Sequence, residues 1–297
     1  MSTSSDKMRT GHVAMLDALG WKGIWKRHAP EHVLAAAEDI RRFITENMQL
    51  SAATFDKPSA ETIAMLRNKY TLPDAPAEAQ EEIDRTLQEI ASTRLMHAEM
   101  LFLSDTVVIG MSSRLIRDGK AALPATTWLS HLIARLTRMC ATGQVPLAFR
   151  GAIAKGQFVT DQNLLLGPAI DSAAEIMNTA DASLVWFHPA ISDDELAVDF
   201  GTVFRYRVPL HGGRTVNAWV VNPFYGTLDA PEADAIHTGI LSAFGDETRL
   251  EVTIKRQNTE AFLDAAREQW STVSSTPFWQ GIAESRRLAL STAPTDG

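Results

Sequence analysis

Two apolar runs that each deliver one aspartate constrain the fold more than any other feature of this chain. Val13, Ala14, Met15 and Leu16 lead to Asp17, and Met100, Leu101, Phe102 and Leu103 lead through Ser104 to Asp105. The first run is too short and too evenly apolar for an amphipathic helix, and Gly20 and Gly23 close it. It reads as a buried central strand with Asp17 at its end. The second reads as a strand over residues 93–103 that returns over 106–111, which sets Asp105 at a hairpin tip. A carboxylate at the mouth of a buried strand is costly without an opposite charge, and a divalent metal is a common partner where two such groups meet. By turn propensity alone, each aspartate would equally suit a plain turn position.

The rest of the chain alternates helical and strand patterns. Val33, Leu34, Ala37, Ile40, Phe43, Ile44 and Met48 recur at three- and four-residue steps and predict a long amphipathic helix after Pro30. Residues 51–91 are polar, carry Pro58, Pro73 and Pro76, and read as a helical insertion with short helices over 60–68 and 78–91. A helix is predicted over 128–140. Residues 145–155 alternate, so that Arg150 projects opposite to Phe149. After the apolar run Leu164, Leu165 and Leu166, Gly167 and Pro168 open a helix over 169–179, where Asp171 and Glu175 share a face. The signal weakens after Asp181. Two strands then follow over 202–210 and 214–221 around the turn His211-Gly212-Gly213, and helices over 231–244 and 258–273 complete the chain. Strands precede and follow helices throughout, which predicts an α+β sandwich with an antiparallel-rich central sheet. The expected organisation is a flexible segment over 1–10, a single domain over 11–290 and a flexible tail over 291–297.

Composition narrows the function classes. A net charge of -8 argues against a broad surface for nucleic acid or anionic membrane, although a local basic pocket for phosphate is compatible with it. The single cysteine, Cys140, excludes an intramolecular disulfide, and residues 1–10 lack the apolar core of a secretory signal, so a soluble, cytoplasmic protein is expected. The longest apolar stretch is interrupted by Asp105 and falls short of the roughly 20 residues of a membrane span. The eight histidines show no metal spacing.

Three segments, in order, resemble class III nucleotidyl cyclases, the family of adenylate and guanylate cyclase catalytic domains. Met15-Leu16-Asp17-Ala18-Leu19-Gly20-Trp21 resembles the first metal motif and Phe102-Leu103-Ser104-Asp105-Thr106-Val107 the second. Arg150-Gly151-Ala152-Ile153-Ala154-Lys155-Gly156, with Leu166-Gly167-Pro168-Ala169-Ile170-Asp171, resembles the strand and glycine-led helix that follow. The phrase Leu19-Gly20-Trp21-Lys22-Gly23 is similar to one in the pyrimidine cyclases of the bacterial Pycsar anti-phage system. The resemblance implies a cyclase-like sandwich built on a ferredoxin-like palm, working as a homodimer. It also implies conversion of UTP or CTP, with UTP favoured, to a cyclic 3',5'-monophosphate and pyrophosphate. The product would activate a separate effector. Two Mg2+ or Mn2+ ions would be held by Asp17, Asp105 and the backbone carbonyl of Ala18. The turn through Gly20, Trp21, Lys22 and Gly23 would approach the phosphates, and Lys255 lies near the family's phosphate-binding lysine.

Departures from the family pattern bear on substrate. The ribose-orienting asparagine of purine cyclases falls on Asp171 and their transition-state arginine on Glu175. A carboxylate beside the reacting phosphate would be repulsive, so another cation must serve, with Arg150, Lys155 and Lys255 as candidates. The purine-reading positions fall on Leu101 and Leu164, whose apolar side chains cannot pair with a purine edge and would suit a smaller, drier base pocket. Alternatives are a catalytically degenerate nucleotide-binding dimer and a purine cyclase. A diguanylate-cyclase-type enzyme lacks support, because its glycine-rich hairpin signature is missing around Asp105.

Overall fold

The computed structural model describes residues 8–19, 21, 23–56, 96–103, 105–113, 115–116, 120–121, 125–161, 164–196, 201–227, 229–277 and 279–281. Strand β1 (Met8–Leu19) lies inside the main sheet and pairs antiparallel with β3 (Thr106–Ser113) on one side and β6 (Ala148–Asp161) on the other. The other described members of the sheet are β2 (Met96–Leu103), β8 (Val185–Phe187), β9 (Val203–Leu210) and β10 (Arg214–Val221), with β7 (Leu164–Leu166) added beside the end of β6. Apart from β7, the strand order in this sheet is β2-β3-β1-β6-β8-β10-β9. Two short strands, β4 (Leu115–Ile116) and β5 (Lys120–Ala121), pair apart from it. Among the described strands only β8 runs parallel to its neighbour β6, so the sheet is antiparallel-rich, as expected.

Each face of the sheet has its own helical layer. Ala14, Leu16 and Ala18 of β1, with Leu147, Phe149 and Ile153, bury against α1 (Pro30–Asp56) and α2 (Ala125–Ala141). Val13 and Met15 point the other way, because successive strand residues alternate faces. That second face carries α3 (Pro168–Met177), α4 (Ala230–Ser242) and α5 (Leu250–Ser274), packed through Phe204, Val208, Ile236, Ile240, Phe262 and Leu263. Leu16 is fully buried, and truncating it to alanine would cost about 2–5 kcal/mol. Burial also pushes the Cys140 thiol up, keeping it unreactive on α2. Among the described residues, no helix is long and apolar enough to cross a membrane.

Several elements differ from the sequence expectation; helix α2 starts at Ala125 instead of 128, and β6 spans Ala148–Asp161 instead of 145–155. Strand β1 begins at Met8 rather than after residue 10, because β6 runs on to Asp161 and supplies partners for Met8, Arg9 and Thr10. Helix α1 continues to Asp56, past the expected start of the insertion at 51; the two short helices expected within the insertion lie outside the described residues, as does the tail over 291–297. Strand β8 was not anticipated: all three of its residues are buried, so no alternation marks them. Helix α5 starts at Leu250, eight residues early: its first turns line a cleft, and their apolar residues Leu250 and Ile254 are exposed instead of packing in the core.

Candidate active site

The site forms where β1 ends. Asp17 lies opposite Thr106 in the β1–β3 register, and the next amide, Ala18 N–H, donates to the Asp105 carbonyl at 2.9 Å. One sheet end thus holds both aspartates, with Asp105 at the β2–β3 connection as expected. Past Ala18 the chain turns sharply: Trp21 N–H reaches the Ala18 carbonyl at 3.4 Å, and Gly23 takes a left-handed φ of 84° before a 3-10 turn over Ile24–Lys26.

A cleft of about 830 Å³ opens on these residues. Asp17, Ala18, Asp105, Gly23, Lys26 and Arg27 line it on the β1 side, and residues 244–249 with Val252 and Lys255 line it on the α4–α5 side. A volume in this range accommodates a nucleotide-sized ligand. Two carboxylates and a carbonyl are hard oxygen donors suited to Mg2+ or Mn2+. Among the described residues no cluster of three or more His, Cys, Asp or Glu side chains could hold a metal. Two carboxylates therefore fit an ion whose remaining ligands come from substrate phosphates and water, which is how Mg2+ is ordinarily bound.

Arg150 sits directly across from Asp17 in the β1–β6 register. Its Nη2 donates to Asp17 Oδ2 at 2.9 Å and to Asn178 Oδ1 at 3.1 Å, just past the end of α3. Both side chains of the ion pair are mostly buried, at 12% and 22% exposure, so its strength is little screened by solvent. Lys155, five residues along the same strand, falls on the opposite face of the sheet. There its Nζ lies 2.8 Å from Glu195 Oε2, with His12 Nε2 3.3 Å from the same oxygen. Burial pushes the His12 imidazole down to about 4, with the Lys155 charge acting the same way and Glu195 opposing. For Glu195 itself, burial acts to raise the carboxyl, but hydrogen bonds from Lys155 and Ser192 outweigh it and hold the group below its usual range. Lys155 is thus removed from the candidate cations near Asp17, while Arg150 and Lys255 remain.

The other residues singled out by sequence divide. Gly20 and Lys22 lie outside the described residues. Trp21 packs against the core on the α1 and α2 face. Leu101 packs into a small apolar cluster of Val13, Val108, Phe158, Leu165 and Ala169. Leu164 does not join it: β7 alternates exposed, buried, exposed, and Leu164 is 59% exposed. Leu165, the next residue along β7, is the one that shares the cluster with Leu101. Asp171 and Glu175 are both exposed on α3. Sequence reasoning missed Arg27 and Arg249, which carry no motif and reach the cleft only because α4 and α5 bring residues 244–249 beside the turn after β1.

No protein-family model and no curated protein matches the chain. Among solved structures, it is similar to the catalytic core of a rhodopsin-guanylyl cyclase with converted specificity in complex with ATPαS, at 11% identity and a TM-score of 0.40, covering 72% of this chain and 96% of that one. A bacterial light-regulated adenylyl cyclase matches at 10% identity and a TM-score of 0.42, over 80% of this chain and 58% of that one. The dimeric guanylyl cyclase domain of the RhoGC fusion protein from the aquatic fungus Blastocladiella emersonii matches at 12% identity and a TM-score of 0.38, over 72% of this chain and 96% of that one.

Proposed function

We propose that this chain is a metal-dependent nucleotidyl cyclase that converts a pyrimidine nucleoside triphosphate, UTP ahead of CTP, to its cyclic 3',5'-monophosphate and pyrophosphate. The observation that carries the reading is that Asp17 and Asp105 line one cleft with Lys26, Arg249 and Lys255. In the reaction the ribose 3'-oxygen bonds to the α-phosphorus as the bond to the pyrophosphate oxygen breaks, and the hydroxyl proton leaves to water or a carboxylate. Asp17, Asp105 and the Ala18 carbonyl would hold two Mg2+ or Mn2+ ions, which acidify the hydroxyl and neutralise the triphosphate. Arg150 orients the Asp17 carboxylate through its 2.9 Å bond and supplies a cation at the reacting end. Lys26, Arg249 and Lys255 meet the triphosphate charge from the cleft walls.

The pyrimidine preference rests on the resemblance of the Leu19-Gly20-Trp21-Lys22-Gly23 phrase; Leu101 packs in its apolar cluster and is not among the residues that line the cleft. The homodimer rests on the resemblance of the motifs around Asp17 and Asp105, and a role as an anti-phage second messenger acting through a separate effector rests on that of the Leu19-Gly20-Trp21-Lys22-Gly23 phrase. Incubating the purified protein with Mn2+ and each NTP separately, and identifying products by mass, tests the reading. Cyclic UMP or CMP is expected. Cyclic product from ATP or GTP alone would overturn the pyrimidine assignment, and no cyclic product from any NTP would overturn the enzyme. A second reading, a nucleotide-binding dimer without turnover, is favoured by the exposed Glu175 on α3 and by the engagement of Arg150 with Asp17. Saturable nucleotide binding without product would support it.

A further inference from the structure

The two walls of the cleft come from opposite ends of the chain, and one side chain ties them together. Arg27 directly follows the 3-10 turn after β1, and its Nη1 donates to the Ala243 carbonyl at 3.2 Å, across 216 residues of sequence. That carbonyl belongs to the C-terminal cap of α4, the negative end of the helix dipole, where a guanidinium is well placed. Two residues on, Gly245 adopts a left-handed φ of 63°, and a Cβ there would stand 2.9 Å from Arg27 Nη1 and 3.3 Å from its Cδ. The glycine thus leaves the space across which the guanidinium lies. Local bonds in the same stretch include Gly245 N–H to the Ser242 carbonyl at 2.9 Å and the Glu247–Arg249 ion pair at 3.1 Å.

We propose that Arg27 is a positioning residue that clasps the 244–249 wall, and with it Arg249 and the start of α5, at triphosphate reach of Asp17 and Asp105. The proposal rests on the cyclase reading and deepens it: Arg27 acts through the wall it holds, so its loss weakens capture of the triphosphate more than it slows the reacting end. Glu247, already paired with Arg249 on that wall, would be exchanged for substrate phosphate on binding.

The test compares Arg27→Ala, Arg27→Lys and Gly245→Ala with the parent protein. Losing one hydrogen bond from a charged donor predicts a KM for the NTP about tenfold higher in Arg27→Ala, with kcat changed by less than about threefold. Arg27→Lys, which keeps a donor, should recover part of the KM. Gly245→Ala should shift KM in the same direction. In an Arg27→Ala background its methyl has no guanidinium to displace, so the double variant should be no worse than Arg27→Ala beyond the strain of a left-handed alanine. Hydrogen exchange gives a readout free of catalysis: amides over 243–249 should exchange faster in Arg27→Ala. An unchanged KM with unchanged exchange over 243–249 would overturn the clasp, as would full additivity of the two substitutions. If the parent protein yields no cyclic product, the cyclase reading falls, and exchange together with Mn2+–NTP binding decides the clasp separately.

Discussion

Replacing Asp17 by asparagine separates the metal chemistry from the fold, because the amide keeps an oxygen for Arg150 and removes only the charge. At 2.9 Å and an effective dielectric constant near 20, the gross attraction of the ion pair is about 6 kcal/mol. Desolvation of two mostly buried groups offsets most of it, leaving about 1.5–3 kcal/mol for a charge-assisted hydrogen bond. A neutral acceptor retains roughly half of that, so Asp17→Asn should destabilise the fold by about 1–1.5 kcal/mol and lower the melting temperature by about 2 °C. Catalysis should suffer far more. A metal-bound carboxylate supports several kcal/mol of transition-state charge stabilisation, and about 3 kcal/mol already corresponds to a factor of about 100 in rate. The assay is cyclic nucleotide formation at saturating Mn2+ and NTP, with thermal melts recorded with and without Mn2+. The parent protein should gain melting temperature on adding Mn2+, and Asp17→Asn should gain little. A variant within about tenfold of the parental rate, or an equal Mn2+ shift in both proteins, would refute the metal assignment of Asp17.

Asp105→Asn should abolish product while leaving the melting temperature within about 2 °C of the parent, since the backbone carbonyl that accepts from Ala18 N–H is untouched; retained turnover would count against a second metal-binding carboxylate. Arg150→Ala leaves the Asp17 carboxylate mostly buried and unpaired, and should cost about 3 kcal/mol in urea unfolding. Mn2+ should restore more stability to Arg150→Ala than to the parent, because the ion replaces the missing counter-charge, and equal restoration would disprove that competition. His12, held near about 4 by burial, binds a proton in the unfolded chain before it does so in the folded one. Between pH 6.5 and about 4 the unfolded state therefore carries the extra proton, so stability is fully present above 6.5 and is lost as pH falls, by up to about 3 kcal/mol. Urea midpoints of His12→Gln should fall less steeply across that window than those of the parent, and identical slopes would contradict it.

Much of the architecture follows from local pattern. The apolar run before Asp17 and the apolar pair of strands around Asp105 specify β1, β2 and β3. The three- and four-residue steps after Pro30 specify α1, and the turn at His211, Gly212 and Gly213 specifies the β9–β10 hairpin. Alternation along β6 was enough to set Arg150 and Phe149 on opposite faces. It equally separates Lys155 from Arg150, a consequence that becomes decisive only once Asp17 is known to lie across from Arg150. Pattern fails where burial is uniform, as in β8, and where a helix borders a cleft instead of the core, as in the first turns of α5.

That two aspartates end apolar strands is legible along the chain, because propensity and periodicity act over a few residues. Their surroundings are set by how the elements pack. The β1–β3 register brings Ala18 to Asp105, the β1–β6 register sets Arg150 on Asp17, and helix packing carries Arg249 and Lys255 to the cleft and Ala243 to Arg27. Such contacts join residues up to 216 positions apart, and they are selected by how whole faces pack, for which no local stretch of sequence carries a signal.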